Sequence, residues 1–396
     1  MRPPSLVRLL IVAVLVVTAS TQAVFLLGAS FVQIGPEMGL GPIGLGALTA
    51  AFFLTASATS APLGRWVQRI GWQRAMVINA RVSALALLLI ASVARNTWTL
   101  AGLLIAAAAI YGSANPAANQ ALADHTNPEK RATIFGAKHA GIPGSTLLAG
   151  LAVPVIVVQV GWRWAYVAAA VLAIVVSFLI PRVSLDTIPT SAKSVRTGPS
   201  PTPLSIRHLL AFAIGSAFAT WGAIALGTFL VSAAVEIGFS ESAAGTLQFV
   251  GSAASIGARV VYGAITDRVG GRGFGAMITV TTIGAIAFLI LPMTGGAVFA
   301  ALVIAAFATG WAWPGLMTFA VVNANRGTVA TSSSITQAGI FLGAGAGPLI
   351  LGAAIERWSF DGAWLTAGIG LAISSLIVGS VRVRLPGTPP ATSRRA

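Results

Sequence analysis

The stretch YGAITDRVGGR, residues 262–272, joins two apolar runs and combines glycines with acidic and basic residues at close spacing. The flanking runs, near 242–262 and 274–292, each have about 20 residues, enough to cross the roughly 30 Å hydrocarbon layer of a membrane. Glycines allow so short a connection to turn back tightly. The stretch therefore predicts two antiparallel membrane helices joined by a polar turn.

Apolar runs of similar length recur along the whole chain. The other ten lie near 7–33, 42–63, 75–95, 98–120, 132–157, 162–181, 208–232, 296–320, 332–354 and 362–381. Only 8% of the residues are charged and the mean hydropathy is +0.88, whereas a soluble domain carries about 25% charged residues. Because backbone groups in lipid must bond within their own segment, we expect twelve helices. The predicted class is an all-α integral membrane protein.

The first run follows a basic start, MRPPSLVR, and resembles a secretory signal peptide as far as Ala23. The apolar run continues to Leu27, which makes it long enough to span a bilayer. We expect this segment to be retained as the first helix.

Lysine and arginine are distributed unequally between the two sets of loops. With the N-terminus inside, eighteen basic residues fall in cytoplasmic segments, and only Arg95, Arg163 and Arg357 fall in outer loops. Basic loops remain on the cytoplasmic side, so both termini are expected to be cytoplasmic in a plasma or inner membrane. The same distribution explains the net charge of +15 without a nucleic-acid partner.

The longest polar stretch lies between the sixth and seventh runs and is rich in Pro, Ser and Thr, which is typical of a flexible linker. It divides the chain into a six-helix bundle at 1–181, a cytoplasmic linker at 182–207, a second six-helix bundle at 208–381 and a cytoplasmic tail at 382–396.

The two halves contain matching sequences. EMGLGPIGLG at 37–46 corresponds to EIGFSESAAG at 236–245, and GSANP at 112–116 corresponds to GWAWP at 310–314, with offsets of 199 and 198 positions. Duplicated bundles place a binding site between them near the membrane midplane, and rocking of one bundle against the other exposes the site to alternate sides.

The glycines, the Asp-Arg pair and the closing basic residue of YGAITDRVGGR resemble the loop signature of the major facilitator superfamily. GRWVQRIGWQR at 64–74 is its counterpart in the first half. Together with the repeat and the six-plus-six layout, the resemblance covers essentially the whole chain. It implies two pseudo-symmetric six-helix bundles, and it implies a secondary transporter that is not an enzyme and needs no cofactor or metal.

In that family such loops latch the two halves on the cytoplasmic side, which implies gating roles for matching residues here. These are Gly64, Arg69, Gly71, Gly263, Asp267, Arg268, Gly270, Arg272 and, at the start of the fifth helix, Arg131. The first loop departs from the family pattern because Gln68 replaces the usual Asp. A latch at that loop would lack its charge. The alternative is that both loops mainly enforce topology.

Three cations lie inside predicted helices, while all nine acidic residues lie in loops or at helix ends. Arg81 is expected to extend to the interface. Lys138 lies about 10 Å beyond Arg131, and Arg259 lies about 12 Å before Asp267, from the same side. In the family the fifth and eighth helices are neighbours across the interface between halves.

Two cations at one depth without a carboxylate would repel each other, and an anion between them would relieve this. The alternative is that Lys138 extends to the interface, while Arg259 bonds helix carbonyls or pairs with the loop of Asp267. His139 is a candidate titrating group beside Lys138, because the ordinary pKa of histidine is near 6.5.

Further candidate ligands are polar or aromatic residues on predicted helix faces. Gln248, Ser252, Ser255 and Arg259 share one face of the eighth helix. The remainder are Gln22, Tyr111, Asn115, Asn119, Trp221, Trp311, Trp313 and Gln337.

The leading prediction is a secondary active transporter of a small organic solute, preferably an organic anion, that works by alternating access. The alternatives are a broad-specificity exporter of drug-like apolar compounds and a transporter-like sensor that moves nothing. We expect a monomer in the lipid bilayer and leave a coupling ion open. There is no Gly-Lys-Ser/Thr phosphate loop, which argues against ATP hydrolysis, and no cysteine.

Overall fold

The computed structural model describes residues 5–123, 131–181, 204–269, 273–325 and 329–384. Within these ranges every regular element is a helix. Eleven helical segments are long and apolar enough to span a membrane. The longest, Val329–Arg384, turns at Trp358 and Ser359 and so comprises two spans. The predicted fold, an all-α multi-pass membrane protein with two bundles of six spans, is confirmed.

We number the spans α1 to α12 in chain order. The first half holds α1 (Leu6–Ala29), α2 (Pro42–Ile70), α3 (Trp72–Val93), α4 (Thr97–Tyr111 and Ala114–Ala123), α5 (Arg131–Lys138 and Gly141–Ala152, continued by a π-helical turn Val153–Val157 and by Val158–Val160) and α6 (Trp162–Leu179). The second half holds α7 (Ile206–Glu236), α8 (Glu241–Val269), α9 (Phe274–Ile290), α10 (Gly296–Thr309 and Pro314–Ala324), and α11 and α12, which precede and follow the turn in Val329–Arg384. A short helix, Phe31–Met38, follows α1.

The two glycine-rich stretches are more helical than the sequence predicted. α2 continues to Ile70 and α8 to Val269, so most of each stretch extends a membrane helix beyond the apolar run. The turn between α2 and α3 is at Gly71, whose φ of +84° favours glycine. The turn after Val269 lies outside the described residues, as do 182–203 of the predicted linker and 385–396 of the predicted tail.

The halves meet along two long seams, α2 against α11 and α5 against α8, and α1 packs on α7 between them. Small residues make these approaches possible. Gly46 of α2 lies against the backbone carbonyl of Pro348 in α11. In the other seam, a methyl group on Gly136 of α5 would lie 2.6 Å from the carbonyl oxygen of Arg259 in α8. The positions of α5 and α8 therefore depend on backbone contact.

The bundle is more tightly closed at the end away from the chain termini, which we call the far side. On that side α1 is buried at every position from Val16 to its end at Ala29, and α7 is buried from Gly222 to Val231. On the terminus side both helices have exposed stripes, such as Ile206, Leu210 and Ile214 of α7. The two halves therefore meet closely at the far side and less closely at the other.

Each seam has a polar contact on the far side. Glu356, near the end of α11, accepts a hydrogen bond from the backbone N–H of Ile43 in the first turn of α2, at 3.2 Å. Gln33 donates to the carbonyl of Val157 at 3.1 Å and to Glu241 at the start of α8 at 3.2 Å. The bonds of Ile43 to Glu356 and of Gln33 to Glu241 join the first half to the second and must break if the far side opens.

A different far-side contact stays within the first half. Glu37 forms an ion pair with Arg163 at 2.5 Å and accepts a hydrogen bond from the indole of Trp162 at 2.8 Å. The Arg163 guanidinium holds the pKa of Glu37 below its ordinary value, because it stabilises the ionised carboxylate. The pair attaches the helix after α1 to α6 and strengthens the first half as a unit.

Removal of the Glu356 carboxylate should loosen the far side. A side chain that caps a helix N-terminus contributes about 1 kcal/mol, so Glu356→Ala should raise the population of far-side opening about fivefold. A cysteine at Thr228, buried in the closed region of α7, reports this opening as its rate of maleimide labelling. The chain has no native cysteine to interfere.

Glu236→Ala is the matched control, since Glu236 is an exposed carboxylate at the far-side end of α7. It should leave labelling of the Thr228 cysteine unchanged. Equal labelling rates for Glu356→Ala and the parent protein would contradict a latch role for Glu356.

The close approach of α5 and α8 gives a second prediction. Gly136→Ala should force the helices apart and lower the free energy of unfolding by about 1–3 kcal/mol, the usual cost of overpacking. Gly257→Ala, on α8 where an added methyl meets nothing within 4 Å, should be neutral or slightly stabilising, because alanine is the better helix former. Thermal unfolding of both variants in detergent measures this. Similar melting temperatures would mean that the seam tolerates extra volume.

Candidate functional site

Three spans are broken at the middle of the bundle. α4 is interrupted at Gly112 and Ser113, α5 at His139 and Ala140, and α10 at 310–313. In each case the segment after the break has proline within its first turn: Pro116, Pro143 and Pro314 respectively. Proline fits the first turn of a helix, but its missing N–H ends the hydrogen-bond ladder of the preceding segment.

The break in α5 leaves one particular carbonyl without a helix partner. The carbonyl of His139 would normally accept from the residue four positions later, and that residue is Pro143. A carbonyl in a membrane interior needs another donor. Arg259 of α8 supplies it, since its Nη1 donates to the oxygen of His139 at 3.1 Å.

The same guanidinium also reaches the break in α10. Nη2 of Arg259 donates to the carbonyl of Trp311, which lies in the turn between the two segments of α10. Arg259 is only 3% exposed. One buried cation therefore joins α5 of the first half to α8 and α10 of the second.

A central cavity of about 50 Å³ adjoins these breaks and is lined by both halves. It contains eight of the residues that the sequence predicted as ligands: Tyr111, Asn115, Lys138, His139, Arg259, Trp311, Trp313 and Gln337. The other lining residues are mostly apolar: Val17, Phe53, Ile142, Thr220, Ala223, Ile224, Pro314, Ile340, Phe341 and Ala344. The sequence did not single out the apolar ones, because a phenylalanine in an apolar helix carries no distinguishing signal.

The two cations and the two phenylalanine rings enter the cavity from different seams. Lys138 and Arg259 come from the α5–α8 seam, whereas Phe53 and Phe341 come from α2 and α11. The cavity thus has one wall that carries positive charge and one that is apolar.

No acidic residue lines the cavity among the described residues. The described acids lie at the ends of spans or beyond them, as with Glu236 and Glu241. Lys138 is 7% exposed and, among the described residues, its ammonium group donates no hydrogen bond. The buried Nε of Arg259 and Nε1 of Trp313 have no hydrogen-bond partner in the described part of the chain either. Several donors therefore face a cavity that offers them few acceptors.

His139 lies between these groups. Its Nε2 is 3.1 Å from the hydroxyl of Thr318 in α10, a contact that either tautomer of the ring can make. The imidazole therefore forms a second link between α5 and α10, beside the one made by Arg259. The sequence analysis did not identify Thr318.

The polar face of α8 lies mostly in the α5–α8 seam, so the predicted role of Gln248, Ser252 and Ser255 as ligands stays a prediction. Ser252 bonds Thr146 of α5 at 2.8 Å, and Gln248 donates to the carbonyl of Thr146 at 3.2 Å. Ser255 is fully buried, and its hydroxyl has no partner in the described structure. These three residues do not line the cavity because α5 covers their face of α8.

Three more predicted ligands also lie elsewhere. Gln22 is buried and donates to the carbonyl of Ser145 at 3.4 Å, within the first half. Trp221 stacks on Phe218 with ring centroids 5.7 Å apart. Asn119 is exposed near the end of α4.

Most of the predicted gating residues lie at the terminus side. Arg69 and Arg268 are exposed, Gly64 and Asp267 are half-buried, and Gly263 is buried. Gly270 and Arg272 lie outside the described residues, as does the side chain of Arg131. Arg81 is exposed on α3, with its guanidinium 5.9 Å from the ring centroid of Phe178.

Solved structures of similar fold include a bacterial homolog of the human lysosomal transporter Spinster. Its inward-facing, occupied form aligns with a TM-score of 0.71 and 15% sequence identity, over 98% of this chain and 100% of that one. The inward-facing, unoccupied form aligns with a TM-score of 0.71 and 14% identity, with the same coverage. At this level of identity the likeness shows a shared fold.

No curated protein matches the sequence. The profile of the Major Facilitator Superfamily matches residues 11–337 and 210–396. These matches extend over nearly the whole chain and agree with twelve spans in two halves around a central cavity. The chain belongs to the major facilitator superfamily.

Proposed function

We propose that this transporter moves a small organic anion across the membrane by alternating access. The observation that carries the proposal is the pair Lys138 and Arg259, which enter one buried cavity from opposite halves with no acidic residue beside them in the described structure. Buried charges are normally paired, because an isolated charge is costly away from water. A carboxylate on the substrate would supply the missing partner.

The unused donors support the same chemistry. Nε of Arg259 and Nε1 of Trp313 are buried without partners in the described part of the chain. Hydrogen bonds from charged donors to a carboxylate are about twice as strong as neutral ones. A ligand that offers acceptor oxygens would satisfy these donors, whereas a neutral apolar compound would leave them unpaired.

The apolar wall favours an anion with a hydrocarbon body. Phe53, Ile340 and Phe341 offer no hydrogen bonds, and apolar pocket walls bind apolar parts of ligands. A monocarboxylate with a short aliphatic or aromatic body matches both walls. Apolar drug-like compounds could also pack against the aromatic wall, so an exporter of such compounds is the second candidate.

We place both termini in the cytoplasm, as the arginine and lysine distribution indicates. The far side is then extracellular, and the described state is closed towards the outside. Similar solved structures are inward-facing, which supports this orientation. The terminus-side end of α8, which contains Asp267 and Arg268, would act as the cytoplasmic latch when the inner side closes.

The test is transport by purified protein in proteoliposomes with labelled lactate, benzoate and succinate. Lys138→Gln and Arg259→Gln should each raise the half-saturation concentration about 10- to 100-fold, because each removes one charge-assisted hydrogen bond. Arg81→Gln removes an exposed cation from α3 and is the matched control with unchanged transport.

Arg259→Gln also loses a bond to a helix carbonyl, so Lys138→Gln is the decisive variant if Arg259→Gln does not fold. Anion transport that is unchanged in Lys138→Gln would contradict the proposed role of this lysine. Efflux of rhodamine 6G that ignores both substitutions would favour the exporter. A thermal shift with a carboxylate but no flux of any probe would favour the sensor.

A further inference from the structure

We propose that this carrier is an obligate exchanger, which changes its open side readily only when an anion occupies the cavity. The inference rests on the proposed function, namely that Lys138 and Arg259 bind an anion. It adds how transport is coupled: outward movement of one anion drives inward movement of another, and net uptake into an empty compartment is slow.

Two positive charges at the cavity have no acidic partner among the described lining residues. Arg259 is held by two backbone carbonyls, which are dipoles and leave its net charge in place. Lys138 receives no counter-charge among the described residues that line the cavity. The empty cavity therefore holds two positive groups, and no acidic side chain among the described lining residues compensates them.

During transport the cavity must pass through a state that excludes water. A carrier that alternates between two openings passes through a form closed at both ends. In the described state Lys138 and Arg259 are already 7% and 3% exposed, although the bundle is tightly closed at the far side only. Closing the terminus side as well would remove water that still reaches the cavity. Without an anion, both cations would then be buried and uncompensated.

Arg259 also links the two halves of the bundle. Arg259 of the second half bonds the carbonyl of His139 in the first half, and both residues border the cavity. The two halves rock against each other at this contact. While α5 and α8 remain packed, the guanidinium of Arg259 is held between them and cannot reach solvent. The charge therefore stays in the cavity through the transition, and the anion travels with it.

Leaving one partner of a buried ion pair uncompensated is strongly destabilising, and this sets the expected size of the effect. Reorientation of the empty carrier should be at least about 100-fold slower than that of the loaded one. A carrier with a carboxylate in its cavity would not show this difference, because its charges would already be balanced.

The experiment compares two loadings of the same proteoliposomes. One batch is loaded with unlabelled lactate, benzoate or succinate, and the other with sucrose of equal osmolarity. Uptake of the corresponding labelled acid is then followed with valinomycin and potassium present, so that no membrane potential opposes net movement. We expect uptake into the anion-loaded vesicles to be at least about 100-fold faster. The ratio does not depend on how much protein is active, because both batches come from one preparation.

Charge removal should relax the requirement for an internal anion. Lys138→Gln leaves the empty cavity with one unpaired cation in place of two, so the ratio of exchange to net uptake should fall at least about tenfold. Arg81→Gln should keep the ratio of the parent protein. A fall of similar size in both variants would show that the ratio does not report the cavity charge, and would overturn the proposal.

Two other results would overturn exchange while anion transport stands. One is equal uptake into loaded and sucrose-filled vesicles. The other is rapid uptake into sucrose-filled vesicles when an inward proton gradient is imposed, which would assign coupling to a protonated group such as His139. If none of the three acids moves in either batch, the proposed function fails, and the exchange proposal fails with it.

Discussion

The guanidinium of Arg259, bonded to the carbonyls of His139 and Trp311, is the contact on which the centre of the bundle depends. Proline at 143 removes the N–H that the His139 carbonyl would otherwise use, and the break in α10 exposes the carbonyl of Trp311. In a membrane interior these acceptors must be satisfied by the protein. An arginine can bond several of them at once because its donors form a rigid fork and it stays charged. The broken helices thus require a strong donor at this point.

That requirement brings a charge to the central cavity. The two interpretations of Arg259 offered by the sequence, a structural donor to helix carbonyls or an anion-binding residue, are compatible in the folded protein. Two of its nitrogen atoms hold α5 and α10, and its remaining buried nitrogen has no partner in the described structure. Lys138, in contrast, shows no bond of this kind to the part of the chain that the structure describes, and the proposed anion would give its charge a partner.

The large-scale architecture was predictable because it follows from properties that one sequence shows directly. Run length and composition predicted twelve spans, and the 199-residue offset between EMGLGPIGLG and EIGFSESAAG predicted the duplication. The site was predictable only in part. Lys138 and Arg259 stood out because charge is rare in an apolar helix. Gln248 and Ser252 contact α5, and periodicity shows that residues share a face but does not show which neighbour covers that face. The breaks had a signal, since Pro116, Pro143 and Pro314 all lie within apolar runs.

The duplication is unequal at the cavity, and this has a consequence for the shape of what can bind. The position of Pro143 in α5 corresponds, 198 residues on, to Phe341 in α11, which is an unbroken helix at that point. One seam therefore presents cations and an interrupted backbone, while the other presents aromatic rings on a continuous helix. A two-fold symmetric cavity would accept a small ligand in two equivalent poses. An anion bound as proposed would be held by its head and its tail in a single orientation, and hydrogen bonds from Asn115 or Gln337 on the remaining walls would give a third point of contact. Three different contacts around one carbon atom are the condition for chiral selection, so the enantiomers of a hydroxy acid would bind here with different affinities.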